Sequence, residues 1–204
     1  MGNNGLSHAL LLDKKGGAKE INYSELKEYK KDEYLLWVHF DYSSQEAVEW
    51  IRDYSGIDSI AVDALLTDET RPRSTILDDS LLIALRGVNL NPNSDPKDMI
   101  SIRLFLNENI IISTKKRDLF SVQDIINNLK QNKGPKNSSE FLVSILDRLI
   151  CRMEETVDKV EDKASEIKDD QGVVYVGNPK ILKGICPGVF GKISPVGYCM
   201  IGKK

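Results

Sequence analysis

The stretch SLLIALRGVNLNPNSDPKDMISIRLFLNENIIIST, residues 80–114, decides the fold. Leu81–Leu90, Met99–Leu106 and Ile110–Thr114 are short apolar runs rich in β-branched residues, separated by polar turn-forming segments. That pattern predicts three consecutive strands. Asn107-Glu108-Asn109 supplies the second turn, and the first connection is a longer loop bounded by Pro92 and Pro96. A further strand, Ser74–Leu77, precedes them across an Asp78-Asp79 turn.

The first connection has the look of an ion site. Asn89, Asn91, Asn93 and Asp95 place oxygen-bearing side chains at alternate positions. A calcium loop that began at Asn89 would need Gly at its sixth position and Glu at its twelfth. Ser94 and Ile100 stand there, so the reading fails. A phosphate loop needs clustered glycines before a helix, and Gly87 stands alone in a strand pattern. A hairpin is left. With the strands flanking residues 91–98 symmetrically, Arg86 would face Arg103. Like charges so placed repel. They call for carboxylates, with Asp78 and Asp79 as candidates, unless both arginines lie on a solvated face.

Outward from this core, residues 6–12 and 34–40 read as strands. SSQEAVEWIRDYSG reads as a helix with a Ser43/Glu46 capping box, one apolar stripe (Ala47, Val48, Ile51, Tyr54) and Gly56 closing it. Asp58 starts a short helix through Leu66, and residues 119–132 have helical spacing up to Gly134-Pro135. From Phe141 the apolar positions Leu142, Leu146, Leu149, Met153, Val157, Val160, Ala164 and Ile167 recur in steps of three or four. This predicts a long helix over 138–168, capped by Asn137 and Glu140. Its first half is apolar on two sides and suits docking on a sheet. Its second half keeps a narrow seam, which suits another helix or subunit, the alternative being a frayed surface helix. The fold class is α/β, a mixed sheet covered by helices (α/β/α).

The chain carries 31 acidic and 28 basic residues, a net charge of −3 that argues against a nucleic-acid surface. Three cysteines without a C-x-x-C pair suit a reducing compartment. No run of about 18 apolar residues is present, so the chain is not expected to cross a bilayer. No acidic residue follows Asp170, whereas 171–204 holds five lysines and seven of the fourteen glycines. The organisation expected is therefore an α/β domain over 1–137, a stalk helix over 138–168, and an unrelated tail over 169–204, either disordered or translated out of frame.

Catalytic signatures are missing. His8 and His39 sit in strand patterns without a second ligand at zinc spacing, and read as edge or core histidines. Cys151 reads as a buried thiol. The exposed side of the long helix instead presents Glu154, Glu155, Asp158, Glu161 and Asp162. Carboxylates bind hard divalent cations without a tight motif, so these five are the candidate metal ligands, against the alternative of a solvated face.

Residues 5–168 resemble the CorA-type metal ion transporter superfamily, in particular its zinc transporter ZntB-like branch. The resemblance rests on ETRPR (69–73), LRGVNLNP…DPKDMISIR (85–103), ISTKKRDLFSVQDI (112–125) and the long helix after Gly134-Pro135. It implies a cytoplasmic α/β/α domain assembling as a homopentameric funnel, with the long helix leading toward membrane helices and a Gly-x-Asn signature that this sequence is not seen to carry. It implies divalent cation transport by full-length members in the bacterial inner membrane, with zinc or magnesium as the candidate ion, and no transport by this chain alone. The competing expectation is a stand-alone soluble binding protein; an enzyme is not expected.

Overall fold

The computed structural model describes residues 4–30, 33–68, 71–92, 94 and 98–166, the side chains of Glu155 and of 159–166 excepted. The expected tail over 169–204 lies outside the described residues. The chain divides into two units, one to Leu149 and one from Ile150. The first contains the whole sheet and both cores.

Seven strands form one sheet in the order β2-β1-β3-β7-β6-β5-β4. They are β1 (Leu6–Leu12), β2 (Ala18–Glu20), β3 (Leu35–Asp41), β4 (Arg73–Leu77), β5 (Ser80–Gly87), β6 (Ile100–Leu106) and β7 (Ile110–Lys115). Every neighbouring pair is antiparallel except β3 and β7, which run parallel, so the sheet is mixed as expected. The stretch 80–114 supplies three adjacent strands. Its second turn closes because the Asn107 side-chain oxygen accepts from the backbone amides of Asn109 and Ile110, both at 2.9 Å.

Strand alternation sends alternate side chains to opposite faces, and each face has its own core. On one, Leu35, Trp37, Ile100, Ile102, Leu104 and Ile111 pack under two helices, α4 (Phe120–Lys130) and α5 (Ser138–Glu166). Phe141 meets Trp37 edge-on, ring centroids 4.6 Å apart. On the other, Leu36, Val38, Phe40, Phe105 and Ile112 pack under α1 (Tyr23–Glu28), α2 (Gln45–Glu49) and α3 (Ser59–Leu66). The result is the expected α/β/α layering.

Three details depart from expectation. The helix after β3 starts from Ser44 rather than Ser43, with no side-chain capping bond, and its second half, Trp50–Tyr54, is a π-helical turn in which the Ser55 amide reaches the Trp50 carbonyl. The wider turn rotates the buried stripe to Ala47, Trp50 and Ile51 and leaves Tyr54 exposed. In α5 the docked side is Phe141, Ile145 and Leu149, four residues apart each time, with Leu142 and Leu146 only half-buried at its flank. The α5 cap is as expected: Asn137 accepts from the Glu140 amide at 2.8 Å, and Glu140 from the Lys136 amide at 2.9 Å.

Where α5 settles on the sheet, β5 ends in Gly87. A Cβ there would lie 2.7 Å from Leu149 Cδ2 and 3.1 Å from Leu119 Cδ1, so the absent side chain admits the helix. Across the parallel β3–β7 seam, a buried polar cluster replaces apolar packing. Trp37 Nε1 donates to Ser113 Oγ at 2.9 Å, and Ser113 Oγ donates to the Val38 carbonyl at 3.1 Å. His39 Nδ1, at 2.7 Å, then donates to the same oxygen, because the one hydroxyl proton is already used.

Candidate functional site

Of the five carboxylates expected to meet a metal, Glu154 and Asp158 are described, both exposed on α5. They stand four residues apart and so on one helix face. The side chains of Glu155, Glu161 and Asp162 lie outside the described residues. Among the described residues, no three His, Cys, Asp or Glu side chains converge on a common point. The two histidines are an edge and a core residue. His8 Nδ1 lies 3.2 Å from Glu20 Oε1, while His39 is fully buried and desolvation holds its pKa down to about 3.

Of the quoted loop's four oxygen-bearing residues, Asn93 and Asp95 lie outside the described residues, and Asn89 and Asn91 form a local turn. The Asn89 side-chain oxygen accepts from the Asn91 amide at 3.2 Å and from Asn91 Nδ2 at 2.9 Å. Asn91 Nδ2 also reaches the Asp118 carbonyl at 3.1 Å, pinning the loop to the end of β7. The Asn89 oxygen is thus spent on neighbouring amides rather than turned toward an ion.

The arginines flanking that loop build the most distinctive polar feature. Arg86 does not face Arg103: Arg86 pairs with Ser101, and Arg103 with Ala84. A two-residue offset keeps both on one face but sets them diagonally. Nor do Asp78 and Asp79 serve them. They turn the opposite end of β5, seven residues or about 23 Å from Arg86.

Arg103 is instead the floor of an open basin of about 770 Å³ lined by Tyr42, Asp68, Arg86, Asp98, Lys116 and Arg117 together with residues of β6. It is 2% exposed. Its guanidinium lies 4.8 Å from the centre of the Tyr42 ring, and Nη2 donates to the Asp68 carbonyl at 2.8 Å. That carbonyl follows the C-terminus of α3, whose dipole favours a cation. Two other carbonyls there are taken by hydroxyls, Leu65 by Thr114 at 2.8 Å and Asp63 by Thr67 at 2.7 Å. Among the described residues Arg103 Nε has no acceptor.

At the rim, Asp68 accepts from Lys116 Nζ at 3.0 Å and from Tyr42 Oη at 3.1 Å. Lys116 first and Tyr42 second hold its carboxyl below the ordinary range, and Asp68 in turn raises the Lys116 pKa. Arg117 Nη1 lies 3.7 Å from Asp98 Oδ2. Of these residues only Arg86 and Arg103 stand out in the sequence. Tyr42, Asp68, Lys116 and Arg117 sit at the ends of β3, α3 and β7, and only the parallel strand pairing brings them together.

The family described as CorA-like Mg2+ transporter protein matches residues 32–175. The divalent cation transporter CmaX of Pseudomonas aeruginosa is 35% identical over 167 residues, 81% of this chain and 50% of that protein. The zinc transport protein ZntB of Yersinia enterocolitica is 31% identical over 159 residues, 78% of this chain and 48% of that protein. Among solved structures, the ZntB cytoplasmic domain of Vibrio parahaemolyticus matches with a TM-score of 0.70 at 26% identity, over 82% of this chain and 67% of that one. The chain thus spans about half the length of the curated relatives it matches.

Proposed function

The chain belongs to the CorA-like Mg2+ transporter protein family, and on that premise we propose that it forms the cytoplasmic part of a divalent cation transporter, assembling as a homopentamer and sensing the cation. One observation carries the reading: a single family match takes in the sheet from β3 onward and the long helix together. The family is one of ion transporters, and no helix among the described residues is long and apolar enough to cross a membrane. Passage of the ion is therefore assigned to segments outside the described residues, and assembly to α5. The ion proposed is zinc or magnesium.

The surface proposed to meet it is the acidic side of α5, with Glu154, Glu155, Asp158, Glu161 and Asp162 contributed by neighbouring subunits. Carboxylate oxygens suit both ions, and shared ligands would link cation concentration to the packing of subunits. Light scattering tests this, with the metal chelated and then with zinc or magnesium added. A species of five times the 22.9 kDa chain mass is expected, its stability set by the metal. Glu154→Gln with Asp158→Asn should blunt the metal response and leave the fold intact. A monomer under every condition would overturn the assembly, as would an unchanged metal response in the double variant for the helix carboxylates.

A further inference from the structure

We propose that β4 is a self-pairing edge, through which two copies of the chain join their sheets about a two-fold axis at Thr75. The sheet ends at β4, and among the described residues no strand lies beyond it. Every residue from Arg73 to Ile76 is exposed. Ile76, at 78%, is the most exposed large aliphatic or aromatic side chain among the described residues. An open edge carries unpaired amides and carbonyls that can template another strand. Which of them face outward follows from the hairpin. Leu77 pairs with Ser80 across the Asp78-Asp79 turn, Thr75 with Leu82, and Arg73 with Ala84. The closing pair of a two-residue turn exchanges hydrogen bonds, and in antiparallel pairing every second pair after it does the same. Arg73, Thr75 and Leu77 therefore spend their backbone groups on β5, whereas those of Ser74 and Ile76 point away from the sheet.

Such a strand fits a second copy of itself. Antiparallel pairing centred on Thr75 sets Ser74 of each copy against Ile76 of the other, so both outward pairs exchange their backbone hydrogen bonds. The same register brings the two Ile76 side chains together diagonally on one face, where each shields the other from water. It also lays the end carrying Arg71 and Arg73 beside the Asp78-Asp79 turn of the other copy. All four of these side chains are exposed, basic at one end of the strand and acidic at the other. A two-fold contact turns that polarity into attraction at both ends. A slip of two residues is disfavoured in either direction. One puts Pro72, which has no amide proton, opposite Ile76, and the other puts Asp78, held at φ 47°, opposite Ser74. A five-residue strand pair buries little area, so the association is weak and depends on concentration. Being two-fold, it does not rest on the homopentamer proposed for α5, and it would link subunits of separate assemblies.

Disulfide trapping in the full chain tests the proposal, with Cys151, Cys186 and Cys199 replaced by Ser. Thr75→Cys then places two thiols directly opposite each other on the axis. At such a non-hydrogen-bonded position the Cα atoms lie about 4.5 Å apart, within disulfide reach. Mild oxidation should convert this variant to a species of twice the 22.9 kDa chain mass. It should do so about tenfold faster than Ser74→Cys, whose register partner is Ile76 and not itself. Asp79→Arg sets like charges together at both ends and should slow trapping through Thr75→Cys about tenfold. Adding Arg73→Glu restores opposite charges and should recover most of the rate. All these positions are exposed, so thermal midpoints should match that of the cysteine-free chain, which separates loss of pairing from loss of fold. Equal trapping through positions 74 and 75 would overturn the proposal, as would a charge reversal without effect or a swap that recovers nothing. So would a Thr75→Cys chain that stays unlinked at high concentration, which leaves the edge to a strand from another protein.

Discussion

His39 ties the stability of the fold to pH. Its imidazole is neutral inside the protein, with a pKa held down to about 3, whereas an unfolded histidine titrates near 6.5. Between those values the unfolded chain binds the extra proton, so stability present above 6.5 is lost as pH falls toward 3. The slope contributed is up to about 1.4 kcal/mol per pH unit. Urea denaturation between about pH 7 and pH 5 should show this decline, and His39→Gln should flatten it while costing stability at neutral pH. At this scale the sequence was legible only in part. It marked His39 as a core or edge residue and singled out Arg86 and Arg103. It did not supply their partners, because the loop over 88–99 allows several registers and a two-residue slip leaves both arginines on the same face. What Arg103 touches was set by the far ends of β3 and α3, which no local pattern announces.

Elements were more legible where they were long and apolar. The three strands of 80–114 and the helix capped at Asn137 appear near where their spacing placed them, although the first strand, expected to reach Leu90, ends at Gly87. The short pair β2 and α1 went unread, being three and six residues long and mostly polar. Their one local signal was Asn22 with Glu25, a capping box closed in both directions at 3.0 and 2.7 Å. The π-helical turn was invisible because a uniform period of 3.6 was assumed through Trp50. The meeting of β5 with α5 makes a sharper prediction. Gly87→Val should cost about 1–3 kcal/mol, since its methyls would enter space held by Leu149 and Leu119. Leu149→Ala should cost less in the Gly87→Val background than alone, because the smaller side chain relieves the overlap. Denaturation midpoints of the two single variants and the double variant measure that coupling.

For the whole molecule, the two-faced sheet accounts for both the fold and the family. Helices on each side leave only edges and ends for chemistry, and the basin lies at such an end. One feature of the sheet also bears on how the chain reaches its native state. Leu36 pairs with Ile110 and Asp41 with Lys115, so the central pairing joins segments about seventy residues apart, while the flanking strands pair with near neighbours. Closing that long loop costs entropy before any contact rewards it. The halves on either side can form early, and their joining becomes the slow step, on the order of milliseconds to seconds. Ser113, whose hydroxyl binds Trp37 and His39 across the join, then belongs to the folding nucleus. Ser113→Ala should slow refolding in stopped-flow measurements more than it speeds unfolding. The parallel seam that gathers the basin's residues is thus also the step that sets the tempo of folding.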